Sequence, residues 1–126
     1  MSGIITLELP YPPSVNTYWR HPSRGRLAGR HLISKKVRDY QTQVGWMVRA
    51  TRAATEPLRG HLDVTVNAQP PDNRRRDIDN ILKAIFDACT HAGVWVDDSQ
   101  IKRLTACWMP PCAGGSVTMH VCEIDV

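Results

Sequence analysis

From His61 to Gln69, apolar Leu62, Val64, Val66 and Ala68 alternate with polar His61, Asp63, Thr65 and Asn67. A period of two predicts a half-buried β-strand. The β-branched run Ile4–Leu9 predicts another strand, closed by Pro10. Residues 101–109 and 115–125 predict two more, around a turn at Pro110-Pro111-Cys112-Ala113-Gly114-Gly115. Elsewhere the period lengthens. Val37, Tyr40, Val44, Met47, Val48 and Thr51 recur at three- and four-residue steps. They predict a helix from a cap at Ser34 to about Ala54, ended by Pro57 and Gly60. Ile78, Leu82, Ile85, Phe86 and Cys89 form the buried stripe of a second helix over 79–92, with Gly93 beyond its C-terminus. The short apolar run Val94-Trp95-Val96 then leads into Asp97-Asp98. This order predicts an α+β fold, a small mixed β-sheet with two helices packed on one face.

The 126 residues suffice for one core, and no repeat or second domain is visible, so residues 1–126 are read as one domain. Pro10-Tyr11-Pro12-Pro13-Ser14 is extended, and residues 14–33, with Arg20, His21, Arg24, Arg26, Arg30 and His31, read as an irregular, flexible basic loop. Within it Trp19, like nearby Tyr11, could stack on an unpaired base or wedge between base pairs. Trp46, Trp95 and Trp108 are read as core or interface packing.

Charge divides the chain. Residues 1–60 hold ten Lys/Arg against three Asp/Glu, and residues 61–126 hold six against nine. The first half suits a polyanion, and a solubility surface is the plainer alternative. No apolar run reaches the length of a membrane span, and the first residues do not form a signal peptide, so a cytoplasmic protein is expected, with no membrane partner. Cys89, Cys107, Cys112 and Cys122 show no Cys-x-x-Cys spacing and are read as buried, reduced thiols rather than a zinc or redox motif.

The chemistry concentrates in Arg74-Arg75-Arg76-Asp77-Ile78-Asp79-Asn80-Ile81-Leu82-Lys83. Close carboxylates resist joint ionisation unless a cation sits between them. A hard ion such as Mg²⁺, held by one or two carboxylates and substrate phosphate oxygens, meets that need, and neighbouring arginines suit a phosphodiester. Helix capping accounts for one aspartate at this position, less well for two. Lys83, one helical turn after Asp79, is either an ordinary i,i+4 partner or a cation for developing charge. Asp97-Asp98 supplies another acidic pair. One of the two could join the site while the other caps toward Ser99, and geometry alone does not choose.

Three blocks, in order, carry a resemblance. Leu9-Pro10-Tyr11-Pro12-Pro13-Ser14-Val15-Asn16-Thr17-Tyr18-Trp19-Arg20, the segment Arg74–Ala88 and the segment Ala92–Ile101 together resemble the RusA family of Holliday-junction resolvases. The resemblance implies a homodimeric, Mg²⁺-dependent endonuclease, with Mn²⁺ as a substitute, that cuts four-way DNA junctions in recombination and repair. Such proteins are bacterial and nucleoid-associated, often phage- or prophage-encoded. It assigns the metal-binding carboxylates to Asp77, Asp79 and Asp98 and the catalytic lysine to Lys83. Asn16, Arg20, Arg74, Arg75, Arg76 and Asn80 are the expected DNA contacts. The competing readings are a non-catalytic nucleic-acid-binding module, a nuclease for another DNA structure, and a purely structural role for Asp77 and Asp79.

Overall fold

The sheet is built around β4 (His61–Gln69), whose Leu62, Val64, Val66 and Ala68 are all fully buried. The computed structural model describes residues 3–14, 19–20, 25–26, 32–52 and 55–125. β1 (Ile5–Leu9) and β6 (Ser116–Ile124) lie on one side of β4 and β5 (Ile101–Trp108) on the other, in the order β1-β6-β4-β5. β4 pairs antiparallel with β6 and parallel with β5, so the sheet is mixed. In β1, β4 and β6 alternate residues are buried, because one face is covered and the other is solvated.

The cover is two helices. α1 (Lys35–Arg52) starts at Ser34, whose Oγ accepts the Val37 N–H at 3.4 Å. It buries Val37, Tyr40, Val44 and Val48. The predicted stripe is two residues too wide: Met47 and Thr51 face solvent. Trp46, expected in the core or an interface, is 66% exposed on the outer face of α1, with the Arg49 guanidinium 5.0 Å from its ring centroid. Trp95 is in the core, its Nε1 donating to Thr90 Oγ1 at 2.7 Å, and Trp108 packs against the core's edge.

The second predicted helix has two parts, a 3-10 turn over Ile78–Ile81 and then α2 (Leu82–Ala92). α2 is closed by Gly93 in the left-handed region (φ 83°), the position where a side chain is strained. Val94-Trp95-Val96 makes no strand, only a bridge between Trp95 and Leu58. Within the stretch read as irregular, Trp19–Arg20 (β2) pairs antiparallel with Leu32–Ile33 (β3), while residues 15–18, 21–24 and 27–31 lie outside the described residues. Three of the four cysteines depart from the expectation of burial: only Cys89 is buried, Cys107 is exposed, and Cys112 and Cys122 are half-buried. No helix among the described residues is long and apolar enough to cross a membrane.

Candidate active site

Parallel pairing of β4 with β5 requires the chain to return along the sheet, and both acidic blocks lie on that return. Asp77 and Asp79 follow the end of β4, just before α2, and Asp98 comes after α2, just before β5. The register sets their separation. Ile101 pairs with Leu62 at the start of β4, and Trp108 pairs with Ala68 at its end. Six residues of strand span about 20 Å, and the 11 residues of α2 cover about 16 Å. The two blocks therefore occupy opposite poles of one chain. Among the described residues, no three His, Cys, Asp or Glu side chains are grouped to hold a metal ion.

At the first pole, Tyr11, Pro12, Ser14, Arg74, Arg75, Arg76, Asp77, Asn80 and Ile81 line an open cleft of about 580 Å³. Asp77 is at the N-cap of the 3-10 turn with an extended backbone, yet its side chain makes no capping hydrogen bond. Asp77 and Asp79 are both exposed. The three arginines differ. Arg76 is mostly covered, its side chain 22% exposed. Its Nη2 lies 2.8 Å from Asp72 Oδ1, and its Nη1 donates to the carbonyls of Asp72 (3.1 Å) and Arg74 (3.2 Å). The Arg74 N–H and the Arg76 guanidinium hold the Asp72 carboxyl below the usual range. Arg76 thus braces the loop, while Arg74 and Arg75 stand in solvent. Lys83, on the first turn of α2, lies 3.3 Å from Asp87, one turn further on.

Tyr11 closes this pole. Its ring packs so closely on Gly115 that a Cβ there would collide with it. Its hydroxyl is enclosed without a hydrogen-bond partner among the described residues. Burial raises its pKa, with Arg76 opposing and Asp72 adding to the shift. So Tyr11 is not an open stacking platform. Arg20 contributes backbone to β2, and its side chain, like all of Asn16, lies outside the described residues.

At the second pole, Asp97 and Asp98 separate by role. Asp97 caps the 3-10 turn Asp98–Gln100, its Oδ2 accepting the Ser99 N–H at 3.0 Å. Hydrogen bonds from the Ser99 hydroxyl and N–H hold its carboxyl below the usual range. Asp98 begins the turn, exposed. Gln100 completes a capping box. Its part is not among the expectations from sequence, although a Gln three positions after an Asp cap is the spacing that announces it. No local pattern announces the Asp72–Arg76 bracket.

Taken together, a small α+β protein carries a basic cleft, exposed carboxylates at two poles and a helix-borne lysine, which is equipment for acting on a polyanion. Residues 10–117 match the family described as Endodeoxyribonuclease RusA. The chain is 36% identical over 117 residues to the crossover junction endodeoxyribonuclease rusA of Enterobacteria phage HK97, covering 93% of this chain and 92% of that one. It is 34% identical over 119 residues to the protein of that name from Escherichia coli K12, covering 94% of each. The chain belongs to the RusA family and is an endodeoxyribonuclease.

Proposed function

We propose that this protein resolves four-way DNA junctions by paired, symmetric, Mg²⁺-dependent cleavage, in recombination and repair in the bacterial cytoplasm. The observation that carries the reading is that relatives aligned over nearly the whole chain are named crossover junction endodeoxyribonucleases.

The two poles give the active site its form. Asp77 and Asp79 cannot share an ion with an Asp98 some 20 Å away by strand length. A homodimer removes the difficulty. In a two-fold pair each surface patch meets the other's counterpart, so Asp77 and Asp79 of one protomer can face Asp98 of the partner subunit, twice over. The set is all hard oxygen donors, which suits Mg²⁺. Bound there, Mg²⁺ supplies positive charge to the phosphoryl oxygens and acidifies the attacking water. Arg74 and Arg75 draw the backbone into the cleft, and Arg76 with Asp72 keeps the loop before Asp77 in shape. Lys83, its ammonium held near Asp87, neutralises charge as the leaving oxygen departs. One site cuts one strand, so two sites cut the symmetric pair.

Complementation tests this. Asp79→Asn and Asp98→Asn, each inactive alone, are refolded as a mixture. Half of the dimers then carry both changes on opposite protomers, which concentrates both defects in one site and leaves the other intact. Nicking of a synthetic junction should return to about a quarter of the wild-type number of sites. No recovery would mean that each site draws its carboxylates from one chain. Equal cutting of a linear duplex, or cutting without divalent metal, would refute the junction-resolving reading itself.

A further inference from the structure

Gln100 does more than a capping box requires. In such a box the third residue accepts one bond from the cap's N–H. Gln100 Oε1 accepts two, from Val96 N–H at 2.9 Å and Asp97 N–H at 2.8 Å. Its Nε2 donates both hydrogens, to Leu58 O and Gly60 O, each at 2.9 Å. An amide offers two acceptor and two donor positions, and this one uses all four, each on backbone. The segment it reaches is fixed from the other side as well. Gly60 N–H donates to Glu123 Oε2 at 3.1 Å, and a Cβ on Gly60 would run into that carboxylate. Leu58 is also bridged to Trp95, whose side chain is in the core. Asp98 lies between the bonded ends, two residues before Gln100, on a turn that buries none of its own side chains.

We infer that Gln100 is a positioning residue for Asp98: its amide staples the acidic turn to the strand entry at Leu58 and Gly60 and so fixes where the carboxylate can hold an ion. The inference rests on the reading of Asp98 as a metal ligand. An exposed carboxylate on an unstapled turn would sample many directions and lose affinity through the entropy of ordering. Supporting groups of this kind cost about 10–100-fold in metal affinity or activity when removed.

Two variants separate the staple's halves. Gln100→Ala removes all four bonds. Gln100→Glu keeps an acceptor for Val96 and Asp97 but sets a carboxylate oxygen against two carbonyls. Mn²⁺ binding would be measured by paramagnetic resonance, alongside the Mg²⁺ needed for half-maximal junction cleavage, junction binding without metal, and Tm. The expected result is metal binding about 10–100-fold weaker, cleavage recovering at high Mg²⁺, and metal-free junction binding unchanged. Wild-type metal dependence with only a lower Tm would make Gln100 a structural staple and overturn the inference. Asp98→Asn runs beside them. If it loses metal while Gln100→Ala keeps it, the inference alone fails. If Asp98→Asn binds metal and cuts like wild type, the underlying assignment fails.

Discussion

Tyr40→Phe deletes one oxygen and tests how the N-terminal segment is held. Tyr40 is 3% exposed on α1, and its hydroxyl donates to Pro10 O at 2.9 Å, just where the chain leaves β1 for the cleft-lining Tyr11, Pro12 and Ser14. Phenylalanine keeps the ring, so no large cavity opens. What is lost is the net worth of one bond, about 1 kcal/mol, plus part of the cost of a carbonyl left without its donor, for a total of about 1–2 kcal/mol. An unfolding entropy of about 2.1 cal/mol/K per residue over 126 residues converts this to a fall in Tm of about 4–8 °C. The assay is urea and thermal unfolding at pH 7, with the urea slope expected to stay constant. Alkaline pH gives a second handle. Burial raises the Tyr40 pKa above its ordinary 10.0, so the stability tied to its neutral form is complete below pH 10 and is lost as pH rises beyond it. The variant lacks that loss, and the gap between the two proteins should narrow above pH 10. A Tm change under about 1 °C, with the gap unaltered by pH, would refute the claim that this bond is a net anchor.

Two further outcomes are expected. Tyr11→Phe should cost no stability and leave DNA binding unchanged, because the hydroxyl it removes is enclosed and has no partner among the described residues; thermal unfolding beside gel-shift titration reads both, and weaker DNA binding would show that the hydroxyl is reached. Iodoacetamide should modify Cys107 first and Cys89 only after unfolding, since burial pushes the Cys89 thiol from 9.0 up to about 12; the stability held by its protonated form is present below pH 9 and lost as pH rises toward 12, and rapid native labelling of Cys89 by mass spectrometry would contradict the buried assignment.

The strands were legible wherever one face is buried: the alternation in His61–Gln69 gave β4 to the residue, because burial on one side imposes the period itself. Helix faces were read less well. A stripe of apolar residues does not state how wide the covering surface is, so Met47, apolar and correctly spaced, lies outside the contact with the sheet, as does Trp46, whose bulk predicts core or interface packing. On α2 the small residues Ala84 and Ala88 are buried beside Ile85 and Cys89, where bulk alone would not have pointed. At the site, Asp77 and Asp79 could be proposed from residue type and spacing and Asp98 from the family resemblance, but their separation could not. It follows from the parallel pairing of β4 and β5, a long-range choice that no local window contains.

That parallel pairing also explains why the site needs so much bracing. A hairpin would have returned the second acidic block to the pole of the first within a few residues. A crossover instead carries it the length of the sheet and delivers it on a turn with no buried side chain of its own. Each pole is therefore held by backbone-directed polar contacts in addition to packing: Arg76 and Asp72 at one, Gln100, Asp97 and Glu123 at the other. Such contacts fix direction more sharply than apolar burial does, because a hydrogen bond weakens steeply with angle and dispersion does not. On this argument, substitutions in the two brackets should alter cleavage more than stability, and substitutions in the shared core, such as at Ile85 or Val66, should do the reverse.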